Sequence, residues 1–144
     1  MTKIVYNACY GGFGLSRKAI ERYFELKDQK VWIEPHDRLA DLLDTVWLVP
    51  PEERVEYVEA WSDMSLDQRV ERNRKYSEQT WCYYNLDRTD PSLVQVVEEL
   101  GKAASGRCAD LKIRELAKGT IYRIDEYDGK ESIVTQDEYE WSVA

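Results

Sequence analysis

Residues 120–135 read TIYRIDEYDGKESIVT. On both sides of Asp128-Gly129 the run is rich in β-branched and aromatic residues that alternate with polar ones. Asp-Gly between two such runs suits a two-residue turn that needs positive φ, so the segment predicts a β-hairpin. A hairpin makes its strands antiparallel, and this sets the expected sheet type.

Working outward, LKIREL (111–116) alternates and predicts another strand, and EYEWSV (138–143) a last edge strand. DPSLVQVVEELGKAASG (90–106) is the clearest helix of the chain. Asp90 is its expected cap and Pro91 its first residue. Leu93, Val94, Val96, Val97 and Leu100 make the inward face, and Gly106 suits a left-handed stop. Gly101 inside that helix costs about 1 kcal/mol against Ala, so a packing reason is expected.

At the other end, KIVYNA (3–8) predicts a buried strand. It runs into NACYGGFGLSRKA (7–19), with three glycines in four positions. Ser16 is a good N-cap, and Leu15 can staple back onto Ala19 or Ile20. Ala19, Ile20, Tyr23 and Phe24 form one apolar helical face up to about Leu26.

Between these ends, KVWIEP (30–35) reads as a short strand or an extended link. DRLADLLDTVWLVP (37–50) places Leu39, Leu42, Leu43, Val46 and Trp47 at helical spacing. PEERVEYVEAW (51–61) begins as helices begin, and SLDQRVERNRKYSEQ (65–79) opens on a capping Ser65. That last helix is polar nearly all round, which suits an outer position or a subunit contact. WCYYNL (81–86) is a strand by composition. The order β, α, helical block, β, α, strands predicts one α+β domain over 1–144. Its antiparallel sheet would carry helices on one face, and an inserted helical lobe would span about 35–80.

Composition narrows the function. The chain has 144 residues, a net charge of −8 and a pI near 4.8. A general nucleic-acid binder needs a basic surface to displace counterions, so direct nucleic-acid binding is not expected. Residues 1–27 hold five basic and two acidic groups, and of the segments 1–27, 28–90 and 91–144 only the first is net-positive. Cys9, Cys82 and Cys108 are odd in number and lack CxxC spacing, which suggests no zinc site and no disulfide framework and fits a reducing compartment. No apolar run reaches membrane-spanning length, and the first residues lack a signal-peptide core. A cytoplasmic protein is expected, with no membrane partner.

A strand ending in glycines can leave backbone N–H groups in an open concavity, with the positive end of a helix behind it. The alternative is a bare turn that needs positive φ. The loop has no GK[ST], and Arg17 stands where GxGxxG needs its third glycine. Leu15 stands where a phosphatase-type cysteine loop built on Cys9 would carry its arginine. The single histidine, His36, suits a surface or capping role, and no metal site, cofactor or acid–base couple stands out. Arg69, Arg72 and Lys75 recur on the polar helix beside Arg74. They read either as an exposed face paired to Glu71 and Glu78 or as a phosphate- or subunit-facing edge.

Three stretches, NACYGGFGLS (7–16), RTDPSLVQVVEELGKAASG (88–106) and EYDG (126–129), resemble a family of short proteins of tailed bacteriophages and prophages. The resemblance rests on Asn7, Cys9, Gly11, Gly12, Phe13, Gly14 and Ser16, then Arg88, Asp90, Pro91 and Gly106, then Tyr127, Asp128 and Gly129. It covers roughly the first 25 and last 60 residues. Many such proteins end in a His-Arg-x-Trp-like tail, whereas this chain ends DEYEWSVA. The resemblance implies a phage accessory protein acting in the host cytoplasm against a defence system, and a binder rather than an enzyme. One form is a homo-oligomeric sponge for a nucleotide-like small molecule. Backbone donors would come from Gly11, Gly12, Phe13, Gly14 and Ser16, charge from Arg17 and Arg88, and stacking from Tyr10 or Phe13. Another is a direct inhibitor that covers a host defence protein with its acidic surface, and a nucleotide-cleaving enzyme is the remaining alternative.

Overall fold

The structure is a computed structural model that describes residues 1–36, 39, 43–55, 61–138 and 142–144. In chain order the elements are β1 (Thr2–Asn7), α1 (Arg17–Leu26), β2 (Trp32–Pro35), β3 (Asp44–Trp47), α2 (Leu66–Gln79), β4 (Thr80–Trp81), α3 (Pro91–Leu100), β5 (Leu111–Leu116), β6 (Tyr122–Tyr127) and β7 (Lys130–Thr135). The fold is α+β, and every strand pair is antiparallel among the described residues. The chain divides into two compact units. One combines Met1–Asp28 with Tyr83–Ala144, and the other is Gln29–Cys82.

In the first unit β1 pairs with β5 in the register Thr2↔Leu116 to Asn7↔Leu111. Side chains alternate across such a ribbon, so Ile4 and Tyr6 share one face and Lys3 and Val5 the other. The Ile4 face meets the β6–β7 hairpin. Ile4, Leu116 and Ile133 form a buried cluster there, closed by Tyr6, Tyr122 and Ile124. The opposite face meets α3, where Lys3 pairs with Glu98, and α1 packs on α3 in turn. Ile4 and Val5 are both fully buried, so both faces of this short strand are covered. Burying each such side chain contributes about 1.5–3 kcal/mol.

The hairpin forms as the sequence predicts. Tyr127 faces Lys130, with Asp128 at φ 50° and Gly129 at φ 84°, the pair of positive φ values a two-residue turn of this hand requires. Ser16 caps α1 by accepting from the Ala19 N–H, and Asp90 caps α3 by accepting from the Ser92 N–H. The end of α3 differs from expectation. The helix stops at Leu100 because Gly101 takes φ +56°, and Gly101–Ala104 continues as a 3-10 turn. Gly106 serves instead as a packing point: its amide donates to the Gly14 carbonyl at 2.9 Å.

The second unit is less helical than expected. Residues 44–47, read as part of a helix, form the central strand of the sheet β2-β3-β4. Thr45, Val46 and Trp47 are buried, and a β-branched pair beside an aromatic fits a pleated surface better than a helix turn. Residues 37, 38 and 40–42 of that expected helix lie outside the described residues. So do 56–60 of the next one, which begins as a 3-10 turn at Pro51–Glu53. The third expected helix is α2, with Ser65 and Gln68 forming a reciprocal capping box. Of the expected strand 81–86 only Trp81 is strand, and Tyr83–Asn85 is a 3-10 turn. At the C-terminus Gln136–Glu138 is a 3-10 turn, and residues 139–141 of the expected edge strand lie outside the described residues.

Candidate functional site

The three stretches that carry the sequence resemblance meet in the first unit, around Asn7. Asn7 is fully buried at the end of β1. Its Nδ2 donates to the carbonyls of Cys9 (2.7 Å) and Gly129 (2.8 Å), and its Oδ1 accepts from the Asp110 N–H at 2.8 Å. The side-chain amide therefore uses both hydrogens and its oxygen, as burial demands. The Asn7 backbone N–H donates to Glu131 at 2.8 Å. Glu131, also buried, receives both guanidinium nitrogens of Arg88, at 2.6 and 3.0 Å. The Arg88 guanidinium carbon lies over the Phe13 ring, 3.5 Å from its centre. A planar, bidentate, ring-stacked cation of this kind is a role lysine cannot fill.

The glycine loop is closed against the hairpin turn. The Gly11 N–H donates to the Asp128 carbonyl at 3.4 Å. Gly129 sits so close to the loop that a Cβ there would overlap the Gly12 nitrogen, and a Cβ at Gly11 would lie 2.6 Å from the Cys108 carbonyl oxygen. The first approach explains the glycine of the turn, and the second explains the loop glycine that lies against Cys108. At the far end of the loop the Ser16 N–H donates to Ala104 (2.9 Å) and the Ser16 hydroxyl to Ala103 (2.6 Å).

The sequence-derived site residues thus separate into two groups. Gly11, Gly12, Gly14, Ser16, Phe13 and Arg88 are drawn into the fold itself. Phe13 is buried, the amides of Gly11 and Ser16 face protein carbonyls, and the charge of Arg88 is matched by Glu131. Tyr10 and Arg17 stay outside. Tyr10 is 60% exposed, with the Lys130 ammonium 5.3 Å from its ring centre, and Arg17 pairs with Glu21 one helical turn on. Tyr127, opposite Lys130 in the hairpin register, is 78% exposed. Tyr10, Lys130 and Tyr127 therefore share one outward surface at the hairpin tip. Glu131, Lys130 and Tyr127 are not among the sequence-derived site residues. A signal for Glu131 existed, because it falls on the Ile133 side of the alternation, where a charge needs a partner.

Tyr23 on α1 donates to Asp90 at 2.9 Å. Burial and the Asp90 carboxylate push the Tyr23 phenol up to about 12. Burial alone would raise the Asp90 carboxyl, but hydrogen bonds from Lys27, the Ser92 amide and Tyr23 outweigh it and hold that group below its ordinary value. The contact fastens α1 to the cap of α3.

In the second unit a cleft of about 570 Å³ runs beside α2, lined by Arg54, Arg72, Arg74 and Lys75 together with Glu53 and Glu78. Of its cations, Arg54, Arg74 and Lys75 already face carboxylates. Arg54 is bidentate to Glu34 and lies 4.7 Å from the Trp47 ring centre, and Arg74 bridges Glu71 and Glu78 at 2.6 Å each. His36 accepts from the Leu39 N–H at 3.2 Å and acts within a turn. Among the described residues no group of three or more His, Cys, Asp or Glu could hold a metal ion, and no helix is long and apolar enough to cross a membrane. Comparison with protein-family models, with curated proteins and with solved structures gives no match to this chain.

Proposed function

We propose that this chain is a non-catalytic binding protein that docks on a partner protein through the surface formed by Tyr10, Lys130 and Tyr127. The observation carrying this reading is that two tyrosines stand exposed beside backbone fastened by the Asn7–Gly129 and Gly11–Asp128 hydrogen bonds. Tyrosine offers a large contact area for little conformational entropy, and binding energy concentrates on such residues when their backbone is already ordered. The fastening by Asn7, Gly11 and Gly129 supplies that order. The acidic balance of the chain favours a partner with a basic face. The resemblance to phage accessory proteins makes that partner a host protein, which the chain would inhibit by covering it.

A second reading, capture of an anionic nucleotide-like ligand, draws on the Lys130 ammonium beside the open Tyr10 ring. A ring for a base next to a cation for a phosphate is the minimum such a ligand needs. It places the ligand on the outer lip of the glycine loop rather than on its amides. One experiment separates the two. The double substitution Tyr10→Ala with Tyr127→Ala should leave the melting temperature within about 2 °C of the parent, since both side chains are exposed. It should abolish stoichiometric capture of a single protein from host lysate. A parallel screen of cyclic and linear nucleotides should leave the parent's melting temperature unchanged. A nucleotide-dependent rise that Lys130→Ala removes would instead establish the second reading. Capture that survives the double substitution would sink the first.

A further inference from the structure

We propose that Cys9 and Cys108 are a redox-linked pair that closes to a disulfide by exchange with a low-molecular-weight disulfide such as oxidised glutathione. The two residues are remote in sequence, yet the Cys9 thiol donates to the Cys108 carbonyl oxygen at 3.0 Å. Their neighbours are pinned together. The Ala8 N–H donates to Asp110 at 2.8 Å, and Asn7 Oδ1 accepts from the Asp110 N–H at 2.8 Å. The Cys108 Cβ rests on Gly11, where a side chain would stand only 2.8 Å away, so glycine makes the room the pair occupies. Ordinary bond lengths added to the sulfur–oxygen contact bring the two Cα atoms within roughly 8 Å. Disulfides span about 4.4–6.8 Å between Cα atoms, so closure requires both side chains to rotate and the backbone to take up any separation beyond that range. Exposure differs usefully: Cys108 is exposed and Cys9 partly covered.

The order of steps follows from that difference. The Cys108 thiol gives up its proton to solvent, and the thiolate attacks one sulfur of the external disulfide. A mixed disulfide forms on Cys108, and the departing thiolate takes up a proton. Cys9 then loses its proton and attacks the Cys108 sulfur, and the second external thiolate leaves and is protonated. Two protein thiols are oxidised to one disulfide, and one external disulfide is reduced to two thiols. The new bond would lie directly before Tyr10 and would hold the glycine loop against the 106–110 segment.

The test uses the full chain carrying Cys82→Ser, which leaves only the two thiols in question. Oxidised glutathione is added, free thiols are blocked by alkylation, and the product is weighed and mapped by mass spectrometry. The expected product has lost both thiols, weighs about 2 Da less than the reduced chain and yields a Cys9–Cys108 linked peptide. It should form at least tenfold faster than in denaturing urea, because the fold supplies the effective concentration. Adding Cys9→Ser should arrest the reaction at a glutathione adduct on Cys108. The proposal is overturned by a lasting adduct on Cys108 while Cys9 remains alkylated. Cross-linked dimers, no reaction, or equal rates in urea would overturn it as well.

Discussion

Two arginine–glutamate pairs, one in each unit, use the same chemistry in opposite surroundings. Arg88 and Glu131 leave 15% and 9% of their side chains exposed, whereas Arg74 and Glu71 leave 52% and 51%. The first pair joins segments 43 residues apart, and its carboxylate also takes the N–H of buried Asn7. The second lies within one turn of α2, a helix with no buried residue. Exposed ion pairs contribute little, because water and salt compete for the same charges. Buried pairs, once formed, cannot lose one member without stranding the other. Asn7, Arg88 and Glu131 thus form a buried, over-determined junction, and α2 is a surface element.

Glu131→Ala should break this contrast most severely. It strands the Arg88 guanidinium over Phe13 and leaves the Asn7 N–H without its acceptor. A loss of about 3–5 kcal/mol is expected in urea unfolding. Because Glu131 is opposed by Glu126 in the hairpin register, Glu131→Gln should cost less, since it keeps an acceptor and removes a like charge. A loss below about 1 kcal/mol for Glu131→Ala would place the junction on the same footing as α2.

Gly129→Ala comes next. Gly129 and Gly119 have nearly the same positive φ, +84° and +88°, but a Cβ at Gly119 meets nothing within 4 Å. Backbone strain alone costs about 1–2 kcal/mol at either position. Any excess at Gly129 measures the close approach to Gly11 and Gly12, and a total of about 3 kcal/mol is expected there. Equal losses for the two substitutions would mean the loop gives way freely. The packing between turn and loop would then be incidental.

The comparison also explains what could be read from sequence. Features settled by neighbours along the chain were legible: the Asp128-Gly129 turn, the Ser16 and Ser65 caps, the Asp90-Pro91 start of α3. Features settled at long range were not. LLDTVW fits a helical stripe as well as a strand, and the choice fell to β2 and to Thr80–Trp81, which flank it as partners. The glycine loop was visible as a special place, but its acceptors at Asp128 and Ala104 lie some ninety residues or more away and no spacing rule reports them. From sequence the loop's glycines therefore read either as a ligand loop or as a bare turn, and the close approaches at Gly11 and Gly129 could not be seen there. Gly101 and Gly106 exchanged roles for a similar cause, since the contact with Gly14 decides which of them is free to end a helix.

The smallest effect is expected at Arg74→Ala on α2. Both partners are exposed and within one helical turn, so the melting temperature should fall by no more than about 1 °C, and by less in concentrated salt. The clearer signal is in titration. The hydrogen bond from Arg74, helped by its charge and that of Lys75, holds the Glu71 carboxyl below its ordinary value of 4.5. A carboxyl lowered on folding stabilises the native state above its unfolded value and loses that contribution as pH falls through the folded value. The parent should thus exceed Arg74→Ala slightly at neutral pH, and the two should converge in acid. Glu71 itself, followed by NMR, should move up towards 4.5 in the variant. A stability gap that persists below the folded value would show that Arg74 acts through packing of its stem rather than through its charge. The helix surface would then be more like the junction than its exposure suggests.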